Sequence, residues 1–373
     1  MTSDDVGTDE GRADLRRGWT TGTCATAATR AAYEALVTGR FPDPVTVTLP
    51  AGQTPSFSLA TMASGDGFAR AGVVKDAGDD PDVTHGALIL STVRPGKVGS
   101  GVTFVAGAGV GTVTRPGLPL AVGEPAINPV PRKMIRQTLD EARTLIGGPE
   151  DVEVEIGIEH GERLAERTLN GRLGIVGGLS VLGTTGIVVP FSCAAWIASI
   201  HRGIDVARAS GIAHVAASTG HTSEQAVKAR YGLDDIQLID MGDFAGGTLK
   251  YLRRAPVPAV TLALGFAKAV KLGQGLLDLH SKRGSVDLAA LAAVAASLGA
   301  GDDLVTAVRS ANTALEALQL CAAAGLPIAE AVAERGFGTA ADVLAGSGIS
   351  LEVMVFDRQG GLLATTGLRP VRS

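Results

Sequence analysis

The chain has 373 residues, 45% hydrophobic and 19% charged, enough apolar material for more than one core, so two domains are expected. A net charge of −5 and three scattered cysteines (Cys24, Cys193, Cys321) exclude a general nucleic-acid binder, a disulfide framework and a cysteine zinc pattern. Fifty glycines with no collagen period must serve turns and close backbone approaches.

Residues 1–14 are polar and acidic and read as a disordered tail with no signal peptide, as in a cytoplasmic protein. Trp19-Thr-Thr-Gly-Thr-Cys24 then leads into an alanine-rich helix, Ala25–Leu36, capped by Thr21 or Thr23 and ended by Gly39. Cys24 falls in its first turn, where the helix dipole lowers a thiol pKa; the plainer reading is a small buried apolar group. From Val45 the period switches to two, with strand-like pieces at Phe57–Met62, Phe68–Val74, Leu88–Val93 and Val102–Ala106.

Between two of these lies Lys75-Asp-Ala-Gly-Asp-Asp-Pro-Asp-Val-Thr-His85-Gly. Its spacing is not that of an EF-hand. It is either a solvated turn or a carrier of Asp76 and His85 to a site of proton handling. Pro131 suits the first turn of a helix to about Ile146, with Met134, Ile135, Leu139, Ala142, Leu145 and Ile146 as its apolar stripe. Arg132, Lys133 and Arg136 then sit where cations oppose the dipole, which suggests either an anion site or a solvated basic face. Val152–Ile158 alternates acidic and apolar residues, as an exposed-edge strand does.

No charged residue occurs from Leu173 to Ile200, a run long enough for a membrane helix, but its many glycines and Pro190 oppose one. The pattern predicts a strand at Leu173–Val176, a glycine-rich loop at Gly177–Val189 and a helix from Ser192. That loop is equally readable as a cofactor cradle or as tight packing. Beyond it, strands (Gly174–Leu182, His214–Ser218, Ile236–Met241, Val260–Leu264) alternate with helices near 193–210, 222–231, 244–254 and 266–280, the signature of a parallel α/β sheet. Ser218-Thr-Gly220-His221, Asp240 and Gly265 fall at carboxyl ends of strands, where open α/β sheets bind ligands. Lys268, Lys271 and His280 are placed on one helix. GxGxxG in a dinucleotide context and GxxxxGK[ST] are both absent, which removes support for NAD and ATP. Helices over Asp287–Leu298, Asp303–Ala323 and Ile328–Ala333 precede a hairpin of Leu351–Asp357 with Leu362–Thr366.

Several stretches together resemble one family: Gly18-Trp-Thr-Thr-Gly-Thr-Cys-Ala-Thr-Ala-Ala28, Val74 to Gly86, Gly109-Val-Gly-Thr-Val-Thr-Arg-Pro-Gly117, Val122 to Arg132 and Gly171 to Val188. The chain is similar to the CbiD-type cobalt-precorrin-5B C(1)-methyltransferases of anaerobic cobalamin biosynthesis. One departure is Gly265-Phe-Ala-Lys268, where the family typically carries a histidine after the first glycine.

The resemblance implies S-adenosylmethionine as methyl donor and a cobalt-precorrin-5B type corrinoid as substrate, which carries the cobalt, so no protein-bound metal is expected. It also implies an α+β first domain like ribosomal protein S5 domain 2 over residues 15–170, and an α/β domain with a mainly parallel sheet over 171–373. His85 and Asp76 become candidates for taking up a proton. Gly177, Gly178, Gly183, Thr184, Thr185, Gly186, Ser218, Gly220, Asp240 and Gly265 become candidates for the donor. Arg115, Arg132, Lys133, Lys268, Lys271 and His280 become candidates for the substrate's carboxylates. No nucleic-acid or membrane partner is expected, and a homo-oligomer is left open. The rival readings are a non-catalytic corrinoid or tetrapyrrole carrier and a metal-dependent hydrolase built on the Asp76–His85 loop.

Overall fold

The computed structural model of the chain describes residues 15–281 and 284–372; the tail expected over 1–14 lies outside them. The chain divides into two units, Met1–Ser192 and Cys193–Ser373, so the boundary falls after Ser192 and not after residue 170.

Unit 1 opens with the short strand β1 (Gly18–Trp19) and helix α1 (Thr21–Thr38). Thr20, rather than Thr21 or Thr23, is the cap: its Oγ1 accepts from Thr23 N at 3.2 Å. Gly39 closes the helix in the left-handed region. Ala25, Ala27, Ala28, Ala31 and Ala32 are fully buried, small enough to seat the helix closely on a sheet.

Strands β2 (Val45–Thr46), β3 (Ser56–Phe57), β4 (Thr61–Gly65), β5 (Phe68–Val74), β6 (Leu88–Pro95), β7 (Val102–Ala106) and β8 (Thr112–Val113) follow. Then come helix α2 (Pro129–Ile146) and strand β9 (Val152–Ile158). The main sheet runs β4-β5-β6-β9-β7, antiparallel except where β7 meets β9. β9 is therefore not an edge strand. Its alternation arises because Val152, Val154, Ile156 and Ile158 enter the core shared with α1 and α2, while Glu155 on the other face bonds Arg94 at 2.8 Å. In α2 the stripe of Met134, Ile135, Leu139 and Ala142 is buried, but Leu145 is 72% exposed and lies outside it.

Helix α3 (Gly161–Ala165) and strands β10 (Ile175–Val176) and β11 (Ile187–Val188) complete the unit. β10 pairs antiparallel with β8, and β11 with β1. The stretch Gly171–Ser192 thus belongs to unit 1 and does not form the first strand and loop of an α/β domain.

Unit 2 alternates α4 (Cys193–Ala209), β12 (His214–Ser218), α5 (His221–Tyr231), β13 (Leu238–Asp240), α6 (Ala245–Arg254), β14 (Ala259–Gly265) and α7 (Phe266–Gly273). Helices α8 (Leu288–Ser297), α9 (Asp302–Arg309), α10 (Ala314–Ala323) and α11 (Ile328–Leu344) precede β15 (Ser350–Phe356), β16 (Leu362–Thr365) and β17 (Arg369–Pro370). The helix expected over Asp303–Ala323 is two, because Thr313 starts a second one by accepting from Glu316 N at 3.1 Å.

The sheet order is β13-β12-β14-β15-β16, with the first four strands parallel and β16 and β17 antiparallel to β15. One face carries Val215, Leu262 and Val353 into a core with Leu249, Val270 and Val332. The other packs Ala216, Ala263 and Met354 under Val227 of α5. The strand order reverses between β12 and β14, the place where open α/β sheets leave a crevice at their carboxyl ends.

Candidate functional site

In unit 1, stretches far apart in sequence meet at the start of α1. Trp19 N donates to Asp76 O at 2.7 Å, Thr20 N to Gly186 O at 3.1 Å and Gly22 N to Leu182 O at 3.0 Å. Thr23 Oγ1 reaches Gly186 O at 2.7 Å, and Asn128 N reaches Val181 O at 2.9 Å. The N–H groups of Thr20 and Gly22 are thereby met by carbonyls of residues 182–186, and Thr23 N by Thr20 Oγ1, so these donors at the helix start are not left open for an anion.

The loop after β5 is held from inside. Lys75 is 1% exposed and its Nζ donates to Asp82 Oδ2 at 2.6 Å. Asp82 Oδ1 accepts from Thr84 N and Oγ1 at 2.8 and 2.7 Å. Burial raises the Asp82 pKa, but the Lys75 charge and the bonds from Lys75 and Thr84 outweigh it, and the net direction is down. Asp76 is gripped by the Arg16 guanidinium, with NH2 to Oδ1 at 2.9 Å. That bond and the Gly78 N–H hold its carboxyl at about 2. Asp79 accepts from Arg16 N and Asp80 from Phe191 N. His85 Nδ1 accepts from Ala77 N at 3.1 Å, which places the proton of the neutral ring on Nε2. The loop is thus a turn built on its own aspartates, and it presents His85 as a donor. Among the described residues no group of three or more His, Cys, Asp or Glu is placed to hold a metal ion.

The glycines of the 177–186 loop face protein. Gly178 abuts the backbone of Gly109 and Val110, Gly183 the side chain of Thr20, and Gly186 those of Leu49 and Thr23. Gly177, at φ 86°, has open space beside it. Thr184 and Thr185 are exposed, and Thr185 Oγ1 closes a local turn with Ile187. Close packing therefore accounts for three of these four glycines. Cys24 is fully buried, and burial pushes its thiol up to about 12, the reverse of activation by the dipole.

The candidate cations separate into used and available groups. Arg132 Nε donates to Ile127 O at 2.7 Å and NH2 to Pro125 O at 3.1 Å, with Glu124 at 3.3 Å, so it ties down the loop before α2. The Arg115 stem packs over Gly174 and its NH1 lies 3.5 Å from Arg172 O. Lys133 and Arg136 are exposed, and the Arg136 guanidinium lies 4.9 Å from the Phe104 ring centroid.

In unit 2, Lys268 bonds Asp243, and Lys268 and Lys271 both donate to Leu279 O, at 2.9 and 3.0 Å. Burial, then the neighbouring Lys268 charge, lowers the Lys271 pKa. The two lysines anchor the segment that leaves α7, which ends at Gly273; His280 lies beyond that helix, not on it. Phe266, the residue at which the sequence comparison expected a histidine, is buried in the core.

At the strand ends, Ser218 and Asp240 are register partners and so lie on the same sheet face. Ser218 Oγ is buried without a hydrogen-bond partner. Gly220 and Gly265 cap α5 and α7 with no side-chain bond, and a Cβ at either would meet nothing within 4 Å. The Trp196 indole donates to Asp240 O at 3.3 Å.

Among the described residues, two of the hollows lie in unit 1. One, of about 340 Å³, is lined by Trp19, Phe57, Leu59, Val73 and Asp76 among others. The other, of about 460 Å³, is lined by residues 78–83 with His85 and Arg167. Sequence reasoning missed Lys75, Arg16, Asp243 and Trp196. A lysine beside an aspartate-rich loop was the available signal for the first.

A sequence model of CbiD matches residues 8–190, and one of the CbiD C-terminal domain matches 278–367. Curated relatives named cobalt-precorrin-5B C(1)-methyltransferase cover the chain almost end to end. That of Agrobacterium fabrum is 61% identical over 95% of this chain and 94% of its own length. That of Bradyrhizobium sp. is 63% identical over 94% and 93%, and that of Halorhodospira halophila 61% over 95% and 95%.

The chain belongs to the CbiD family.

A crystal structure described as the cobalamin biosynthesis protein CbiD of Archaeoglobus fulgidus is 27% identical over 72% of this chain and 83% of that one. Its TM-score of 0.39 gives the fold comparison no weight. The five stretches singled out for resembling this family all fall in unit 1, and four of them meet at the start of α1 through the bonds given above.

Proposed function

We propose that this CbiD-family chain transfers a methyl group from S-adenosylmethionine to ring carbon C-1 of cobalt-precorrin-5B, in the route to cobalamin that inserts cobalt early. The observation that carries this reading is the 61% identity over 95% of the chain to a curated relative named for that reaction. In the displacement the donor's carbon–sulfur bond breaks as the carbon–carbon bond forms, and the sulfonium leaves as a neutral thioether. The protein's main contribution is alignment of donor and acceptor carbon.

Asp76, held at about 2, is a weak base, and His85 presents Nε2–H rather than a lone pair. We therefore assign both to binding and loop shape rather than to proton uptake. Lys133 and Arg136, exposed on α2, are the cations we assign to the substrate's carboxylates. Arg115, Arg132, Lys268 and Lys271 shape the surfaces around them. The residues fit a nucleoside-bearing donor in two places: the open backbone at Gly220 and Gly265, and the aromatic hollow beside Trp19. When bound, the donor supplies an electrophilic methyl group.

Likening unit 1 to ribosomal protein S5 domain 2 remains part of this proposal, supported by two helices on one face of a five-stranded sheet. So does a cytoplasmic location; among the described residues no helix is long and apolar enough to cross a membrane. The hydrolase reading loses support because Asp76, Asp79, Asp80 and Asp82 each already accept from protein groups. Calorimetry with S-adenosylhomocysteine separates enzyme from carrier: the enzyme binds it and a mere corrinoid carrier does not.

A further inference from the structure

We propose that the hollow beside Trp19 holds the adenosine portion of the methyl donor. The inference rests on the methyltransferase reading for the identity of that nucleoside. Four features of the hollow carry it.

The first is size. At about 340 Å³ it is at the lower end of small-molecule sites, room for one nucleoside.

The second is a fixed aromatic wall. Trp19 meets Phe57 edge to face, centroids 5.5 Å apart at 74°. Its backbone is pinned on both sides, by Asp76 O and by pairing with Ile187. A half-buried indole held this way offers its surface to a flat ring at little entropic cost.

The third is polarity. Asp76 at the mouth is held ionised by Arg16 and is purely an acceptor. Its oxygens already accept from the Arg16 guanidinium and Gly78 N, which leaves one acceptor position, on Oδ2, for an exocyclic amino group or a sugar hydroxyl. Ser58, also in the lining, is exposed.

The fourth is the state of the alternatives. The larger hollow is lined by Asp79, Asp80 and Asp82, with the His85 imidazole as its one ring and no indole or phenyl surface. At the strand ends of unit 2 the Trp196 N–H is spent on Asp240 O, and the Ser218 hydroxyl is sealed from solvent. Of these places, the Trp19 hollow joins an indole surface, a carboxylate acceptor and sufficient volume.

The test uses the fact that the chain has two tryptophans, one in each candidate place. S-adenosylhomocysteine, and separately adenosine, is titrated into full-length wild type, W19F and W196F. Emission is followed by fluorescence and affinity by calorimetry. Emission should change in wild type and W196F and stay flat in W19F. Losing the indole should weaken binding by about tenfold, as expected for a lost base–aromatic stack. Ser58→Phe, at the exposed rim, should fill the hollow and weaken binding at least as much, and it guards against misfolding of W19F. If S58F binds normally and the W19F emission responds through Trp196, the hollow is not the site, while the methyltransferase reading stands. If wild type binds neither compound, that reading fails and the assignment of the hollow fails with it.

Discussion

Gly183→Ala should unfold unit 1 more easily, and the effect should be large. Gly183 has φ 133°, a conformation that costs a side-chain-bearing residue about 1–3 kcal/mol. A Cβ there would lie 2.7 Å from Thr20 Cγ2 and closer still to the Thr20 Cβ and Oγ1. Thr20 cannot retreat, because its Oγ1 caps Thr23 N and its N–H is bonded to Gly186 O. Losing such a cap costs about 1 kcal/mol. Together these give a loss of roughly 2–4 kcal/mol. Urea unfolding of the full chain, followed by Trp19 emission in a W196F background, reads unit 1 directly. Gly177→Ala is the internal control: it also has positive φ but meets nothing within 4 Å, so it should lose only the backbone cost of the left-handed region, about 1–2 kcal/mol. Equal midpoints for G183A and G177A would refute the view that this loop's glycines serve packing.

Four further outcomes follow from the same geometry. Asp82→Ala leaves the Lys75 ammonium buried without its carboxylate and should cost roughly 3 kcal/mol by urea unfolding, with part regained in the K75M/D82A double variant. Because the folded state lowers the Asp82 pKa, this stabilisation is complete above the unfolded carboxylate value, about 4, and is lost as pH falls through the folded one. An Asp82→Ala penalty unchanged between pH 7 and pH 3 would contradict the pairing. Cys24, buried with its thiol pushed up to about 12, should resist alkylation at pH 8 in the native protein while half-buried Cys193 reacts; mass mapping decides. Arg132→Gln should lower stability by about 1–3 kcal/mol through its lost carbonyl bonds. Lys133→Gln should leave the melting curve unchanged and weaken corrinoid binding, both checked by titration and thermal unfolding.

Local pattern carried much of the fold. Period-two runs located β5, β6 and β7, the proline-rich start located α2, and the β–α alternation located the parallel sheet of unit 2. What it missed depends on partners distant in sequence. Glu153 and Glu155 suggest an edge strand until Arg94 and Arg70 are seen opposite them. β10 and β11 are two residues long and are defined only by pairing with β8 and β1. Gly178, Gly183 and Gly186 have the composition of a ligand loop, yet what each touches is another part of unit 1. Among candidate site residues, residue type could mark Arg132 and Lys271 as cations. It could not reveal that carbonyls at Ile127 and Leu279 already occupy them. Lys75 is the converse case: a lysine at a strand end reads as solvated until the fold closes over it.

The central claim is the reaction, and its most direct measurement is mass analysis of the corrinoid after incubation with cobalt-precorrin-5B and S-adenosylmethionine labelled in its methyl group. One labelled methyl at C-1, formed only with the protein present, is the predicted result. Unchanged corrinoid, under conditions in which the Agrobacterium fabrum relative methylates it, would contradict the account.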